Sequence, residues 1–237
     1  MSQLFISTRG VANWRERLAH PDRQWRRKYS ALETSVSWES AASDPCGLPQ
    51  PIADLFSGAG YTTPVLLLAV AEHQVALDGG DAASQCDVWA IVKTSLGLLS
   101  LSVEAKAREP FGDHSLEEWL EAGETQQSRA NRAARWSHVR SHLPDAPSFG
   151  QIRYQILHRC AAAVIEARRF GFTHAAFVVQ AFGTPDKSFL HYKAFCDAIG
   201  VAAERDHMST VQFGGLSLGV GWADCPLATV DQLAACV

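Results

Sequence analysis

Two acids and a lysine, Asp87, Glu104 and Lys106, stand at positions where divalent-metal phosphodiester chemistry could use them. Asp87 opens the run Asp87-Val88-Trp89-Ala90-Ile91-Val92, and Glu104-Ala105-Lys106 closes the run 99–106. Both runs read as strands of one hairpin. With its turn at Ser95-Leu96, Thr94 faces Gly97 and Asp87 faces Glu104. Carboxylates directly opposed on adjacent strands have Cβ atoms roughly 4.5–5.5 Å apart and repel without a compensating cation. Alternation also places Glu104 and Lys106 on one face. Mg2+ commonly takes one or two carboxylates, keeps waters and completes its shell with substrate phosphate. Asp87 and Glu104 would supply the carboxylates and the Ala105 carbonyl a third ligand. Lys106 would orient the attacking water or stabilise the charge that builds on phosphorus. A plainer reading of the same residues makes Asp87 a turn residue and Glu104 and Lys106 solvated edge charges.

The elements around this hairpin set its place. Residues 11–57 read as helices in pieces. The first stops at His20-Pro21, because the residue before proline is pushed out of the α region. A second starts near Ser30 and runs past Trp38 and Glu39 to the Pro45-Cys46-Gly47 break. A third is short, over 52–56. Thr62-Thr63-Pro64 reads as a cap followed by proline in the first turn of a helix through Ala71, with Glu72 closing it. A strand over 74–77 ends at Asp78-Gly79-Gly80.

In the second hairpin strand Leu99, Leu101, Val103 and Ala105 alternate with Ser100, Ser102, Glu104 and Lys106, so the hydroxyl-lined face is expected to be open to a ligand. Residues 115–142 read as hydrophilic helix and 151–169 as a long helix capped by Gly171. A buried strand over 173–182, a helix over 189–199 and one or two strands over 211–223 follow. The order predicts an α/β protein, a mixed β-sheet flanked by helices, with an N-terminal helical extension.

The chain has 237 residues, 47% of them apolar and 19% charged, with a net charge of −4. Such a chain buries a sizeable core, and its overall charge does not draw nucleic acid to it. Local clusters carry that possibility. Arg15, Arg17, Arg23, Arg26, Arg27 and Lys28 alternate with Trp14 and Trp25, and Arg129, Arg132, Arg135 and Arg140 accompany Trp136. Arginines beside aromatic rings suit backbone tracking and base stacking. Solvated helix faces with core tryptophans are the competing reading.

Six cysteines are scattered without a C-x-x-C pair, which argues against a zinc ribbon or a disulfide framework. No apolar leader precedes Arg9, Arg15 and Arg17, and the longest apolar run, 65–71, is too short to span a bilayer. The expectation is a soluble, reduced, cytoplasmic protein without a membrane partner. No phosphate-binding glycine motif occurs, and the histidines show no metal-ligating spacing.

The pattern Asp … Glu-x-Lys on a hairpin, preceded by helices and followed by helix and strand, resembles the PD-(D/E)XK nuclease-like superfamily. Three stretches are similar to an uncharacterised bacterial family assigned to it. They are Gln85-Cys86-Asp87-Val88-Trp89, Val103-Glu104-Ala105-Lys106-Ala107-Arg108-Glu109-Pro110-Phe111-Gly112, and Arg153-Tyr154-Gln155-Ile156-Leu157-His158-Arg159 with Ala161-Ala162-Ala163.

The resemblance covers roughly residues 10–222. It implies one domain across 1–237, with a helical part at about 10–57 and a restriction-endonuclease-like core at about 62–222, in which Asp87, Glu104 and Lys106 match the catalytic positions. It also implies a Mg2+- or Mn2+-dependent nuclease acting on DNA or another nucleic acid. Many members add a helix glutamate, for which Glu39 and Glu72 compete. Glu39 is favoured because Trp38 anchors its helix. Some members place a polar residue on the helix after the sheet, where Tyr154 and Gln155 fall. The superfamily also holds inactive members, so a non-catalytic nucleic-acid- or protein-binding regulatory module is the other expectation. The oligomeric state is left open, a homodimer included.

Overall fold

The computed structural model describes residues 10–235; Arg9 and Cys236 lie outside the described residues. Six strands form one mixed sheet in the order β1-β2-β3-β4-β6-β5. They are β1 (Val65–Val75), β2 (Ser84–Thr94), β3 (Gly97–Lys106), β4 (His174–Phe182), β5 (His207–Phe213) and β6 (Leu216–Cys225). The first three pair antiparallel, β3-β4 and β4-β6 pair parallel, and β5 returns antiparallel along β6. Parallel neighbours need a long crossover. Between β3 and β4 it consists of α5 (Leu116–Glu121), α6 (Gln126–Arg140) and α7 (Tyr154–Phe170), and between β4 and β5 the helix is α8 (Asp186–Ala198). Before the sheet come α1 (Val11–Arg15), α2 (Pro21–Gln24), α3 (Ser30–Ala41) and α4 (Gln50–Gly58), and α9 (Val230–Ala235) follows it.

Alternation along β3 divides the core in two. Leu99, Leu101, Val103 and Ala105 pack with Trp38, Ile52 and Phe56 of α3 and α4. On the other face, Ile156, Cys160 and Ala163 of α7 pack with Phe177 and Val179 of β4 and with Trp222 of β6. The hydroxyl row of β3 is therefore sealed, not open as expected. Ser100 and Ser102 are fully buried. Ser100 accepts the Trp89 indole N–H at 3.0 Å, and Ser102 lies 3.1 Å from the Cys86 sulfur. A serine costs little inside when its hydroxyl has a partner, so a small polar face can pack under a helix.

The stretch after Pro64 is strand β1, not helix. Its Leu- and Ala-rich run lacks a decisive period, and its pairing along β2 settles the state. Gly171 ends α7 in the left-handed region at φ 71°, as its place in the sequence predicts.

Candidate active site

The site forms where β3 parts from β2. Their ladder runs from Thr94↔Gly97 to Val88↔Val103, the register expected from a Ser95-Leu96 turn. Beyond it, Cys86 and Gln85 remain paired to His73 and Gln74 of β1. The Ala105 amide, which would meet Cys86 if the ladder continued, donates instead to Oδ2 of Asp87 at 2.6 Å. Within an extended strand one residue's N–H and C=O point to the same side, so the Ala105 carbonyl is aimed toward Asp87 as well.

On the opposite flank Ala71 pairs with Val88 and His73 with Cys86, which brings Glu72 level with Asp87. Glu72 sits at φ 54°, left-handed backbone that costs a non-glycine residue on the order of 1–3 kcal/mol. Its Oε2 accepts the Gln85 side-chain amide at 2.6 Å. Glu72, Asp87 and Glu104 thus come from three consecutive strands to line one cleft. The sequence places Glu72 at the end of a helix; its position on β1 is a correction.

Cations compensate one member of this group. Oε1 of Glu104 accepts from Lys106 Nζ at 2.6 Å and from the Gln155 amide at 2.7 Å, and its Oε2 accepts from Arg159 Nε at 2.6 Å. Glu104 is 1% exposed and Lys106 4%, which excludes solvated edge charges. Burial raises the pKa of Glu104, but Lys106 and Arg159 outweigh it and hold the carboxyl below its ordinary value. Asp87 has no comparable partner. Burial first, then the charges of Glu104 and Glu72, push it well above the usual carboxylate range. Burial likewise lifts Glu72 to about 7, against the pull of Gln85 and Arg159.

Arg159 also donates to Ser84 Oγ at 3.1 Å, and Ser84 lies 2.8 Å from Nδ1 of His158. Burial and then Arg159 keep that histidine well below its ordinary pKa, hence neutral. Arg159 received no role from the sequence. Its signal was the i, i+4 spacing from Gln155, which puts both on one face of α7.

Asp87, Glu104, Ala105, Lys106 and Gln155 line one cleft of about 660 Å3, together with Glu72 and Arg159. Other expectations fall elsewhere. Glu39 is not in this cleft. Trp38 points into the sheet, where its indole N–H meets Gln180 at 3.1 Å, and the next helix position is turned about 100° away. Glu39 accordingly accepts the Trp14 indole N–H at 2.7 Å. Tyr154 stacks on Trp119 with ring centroids 3.8 Å apart. The guanidiniums of Arg129, Arg132 and Arg135 are used to hold loops. Arg129 donates to the Gly123 carbonyl, Arg132 to that of Trp119, and Arg135 to those of Asp78 and Gly80. None of the three lines the cleft.

The far wall of the cleft is the N-terminal segment from Leu18 to Ala31. Glu109 ties it to the sheet by accepting the Ser30 amide at 3.1 Å.

Among the described residues no three His, Cys, Asp or Glu side chains form a ready-made metal cage. The donor set still suits a hard cation. Asp87 carries an uncompensated carboxyl between two others, and Mg2+ needs few protein ligands because waters and phosphate oxygens fill its shell.

An α/β sheet with an acid-lined cleft at a strand divergence is the class of structure in hand. The chain belongs to the family described as Domain of unknown function (DUF6946), whose model matches residues 7–226. No curated protein and no solved structure matches it. Among the described residues no helix is long and apolar enough to cross a membrane.

Proposed function

We propose that this cleft hydrolyses phosphodiester bonds of nucleic acid with the help of Mg2+ or Mn2+, on a restriction-endonuclease-like core of the PD-(D/E)XK type. One observation carries the reading: Glu72 lies beside Asp87 between the pairs Ala71↔Val88 and His73↔Cys86, Asp87 holds the Ala105 amide next to Glu104, and Lys106 reaches Glu104 at 2.6 Å. Asp87, Glu104 and the Ala105 carbonyl would hold the cation, with Glu72 beside them. When bound, the cation offsets phosphate charge and makes water more acidic. Lys106 holds its ammonium at the cleft floor, where it orients a water or donates to a phosphate oxygen. Arg159 and Gln155 fix the Glu104 carboxylate, so that its oxygens are aimed before substrate arrives.

The test is a cleavage assay on mixed DNA and RNA substrates with Mg2+ or Mn2+, comparing wild type with Lys106→Ala. Metal-dependent cleavage lost in the variant supports the reading; absence of cleavage by wild type with either metal removes it.

A second reading rests on Glu104. Both its oxygens already have cationic partners, so the cluster holds together without a metal. A binding or regulatory module that keeps the fold without catalysis would look the same at this residue.

A further inference from the structure

We infer that the cleft takes a single strand of nucleic acid rather than a duplex, and that Arg23 and Tyr29 of the far wall select it. This rests on the proposed phosphodiester chemistry and adds the substrate's form. The carboxylates and Lys106 lie at the bottom of the cleft, with Glu104 1% and Lys106 4% exposed, so a phosphate must descend to reach them. The N-terminal segment rises opposite and narrows the approach. The cleft encloses about 660 Å3 between the sheet and that segment. An unpaired strand is flexible enough to bend a phosphate down to its floor, whereas a duplex is stiff over such a length, with a persistence length of roughly 150 base pairs.

The wall carries the chemistry that a single strand needs. The Arg23 side chain is exposed and makes no hydrogen bond or ion pair among the described residues, unlike Arg15 and Arg27, which pair with Asp22 and Glu33. Arg26 is occupied too, on the Asp22 carbonyl. Arg23 therefore lines the cleft as a cation with its donors unspent, suited to a backbone phosphate. The Tyr29 ring is 38% exposed on the same wall and offers a stacking face. A free guanidinium next to an exposed ring is the pairing that tracks unpaired strands without reading sequence. The bond from the Ser30 amide to Glu109 anchors the backbone next to that ring.

Fluorescence anisotropy tests this separately from cleavage. The probes are a labelled 15-nucleotide single-stranded DNA, the same sequence as RNA, and the DNA duplex, each with Ca2+ present. Wild type is expected to bind at least one of the single strands about tenfold more tightly than the duplex. Arg23→Glu is expected to weaken that binding roughly tenfold, and Tyr29→Ala to weaken it about fivefold or more while Tyr29→Phe retains it. Both side chains are exposed, and melting curves confirm that the variants fold. Equal or tighter binding of duplex, or unchanged binding by Arg23→Glu and Tyr29→Ala, overturns the inference. Selective strand binding without cleavage by wild type would leave this inference standing and remove the hydrolytic reading.

Discussion

The carboxylate of Asp87 accepts the backbone amide of Ala105 at 2.6 Å, at the point where the β2–β3 ladder has ended. The side chain thus does two things: it takes the place of a backbone carbonyl, and it presents a carboxyl that lacks its own cation. Asp87→Asn keeps an acceptor and deletes the charge, so its melting temperature without divalent metal is expected to rise at neutral pH. Asp87→Ala strands the buried amide and should cost about 1–3 kcal/mol. Thermal melts of the two variants beside wild type check both signs.

The pH dependence of the metal-free protein follows from Glu72 and Asp87. Both have folded pKa values raised above the unfolded ones, Glu72 from 4.5 to about 7. The folded state therefore binds more protons between those values than the unfolded chain does. The stabilising contribution of Glu72 is complete below about pH 4.5 and is lost as pH rises through about 7, and Asp87 acts in the same direction. Glu104 acts in the opposite sense, since its lowered pKa gives stability above its unfolded value that is lost in acid. Glu72→Gln should flatten the decline between pH 4.5 and 7 in urea melts.

Arg159 is expected to be the costliest cluster residue to remove. Arg159→Ala leaves Glu104 with Lys106 and Gln155 alone and frees Ser84 from its guanidinium. Breaking a buried pair on one side typically costs about 3–5 kcal/mol. Denaturant unfolding measures it, and a loss below 1 kcal/mol would show that Arg159 does not secure Glu104.

The hairpin was legible in the sequence because a two-residue turn fixes register and alternation fixes faces. Asp87, Glu104, Lys106 and Gln155 come together accordingly. Three things needed tertiary information. Thr62-Thr63-Pro64 carries helix-start chemistry, and only pairing with β2 makes the following residues a strand. That error puts Glu72 at a helix end, where Glu39 is preferred to it for its Trp38 anchor. Alternation along β3 separates its two faces without saying which one α7 covers, so the serine row was expected at the surface. The arginines of α6 have the composition of a nucleic-acid patch, but their donors go to nearby carbonyls.

That last point carries its own expectation. Gly79, at φ 80°, lies so close to α6 that an added Cβ would sit 2.1 Å from the Asn131 carbonyl oxygen, and Arg135 caps the same turn through Asp78 and Gly80. Arg135→Ala should destabilise the protein by about 1–2 kcal/mol and leave oligonucleotide affinity unchanged. Paired melts and anisotropy titrations separate the two effects.

The central claim is that Asp87, flanked by Glu72 and Glu104, takes a hard cation. Calorimetric titration of the metal-free protein with Mn2+ measures it most directly. Wild type is expected to bind one or two ions in the micromolar to millimolar range with release of protons from Asp87 and Glu72, and Asp87→Asn to show no saturable heat. Wild type without a binding isotherm, or Asp87→Asn titrating like wild type, would contradict it.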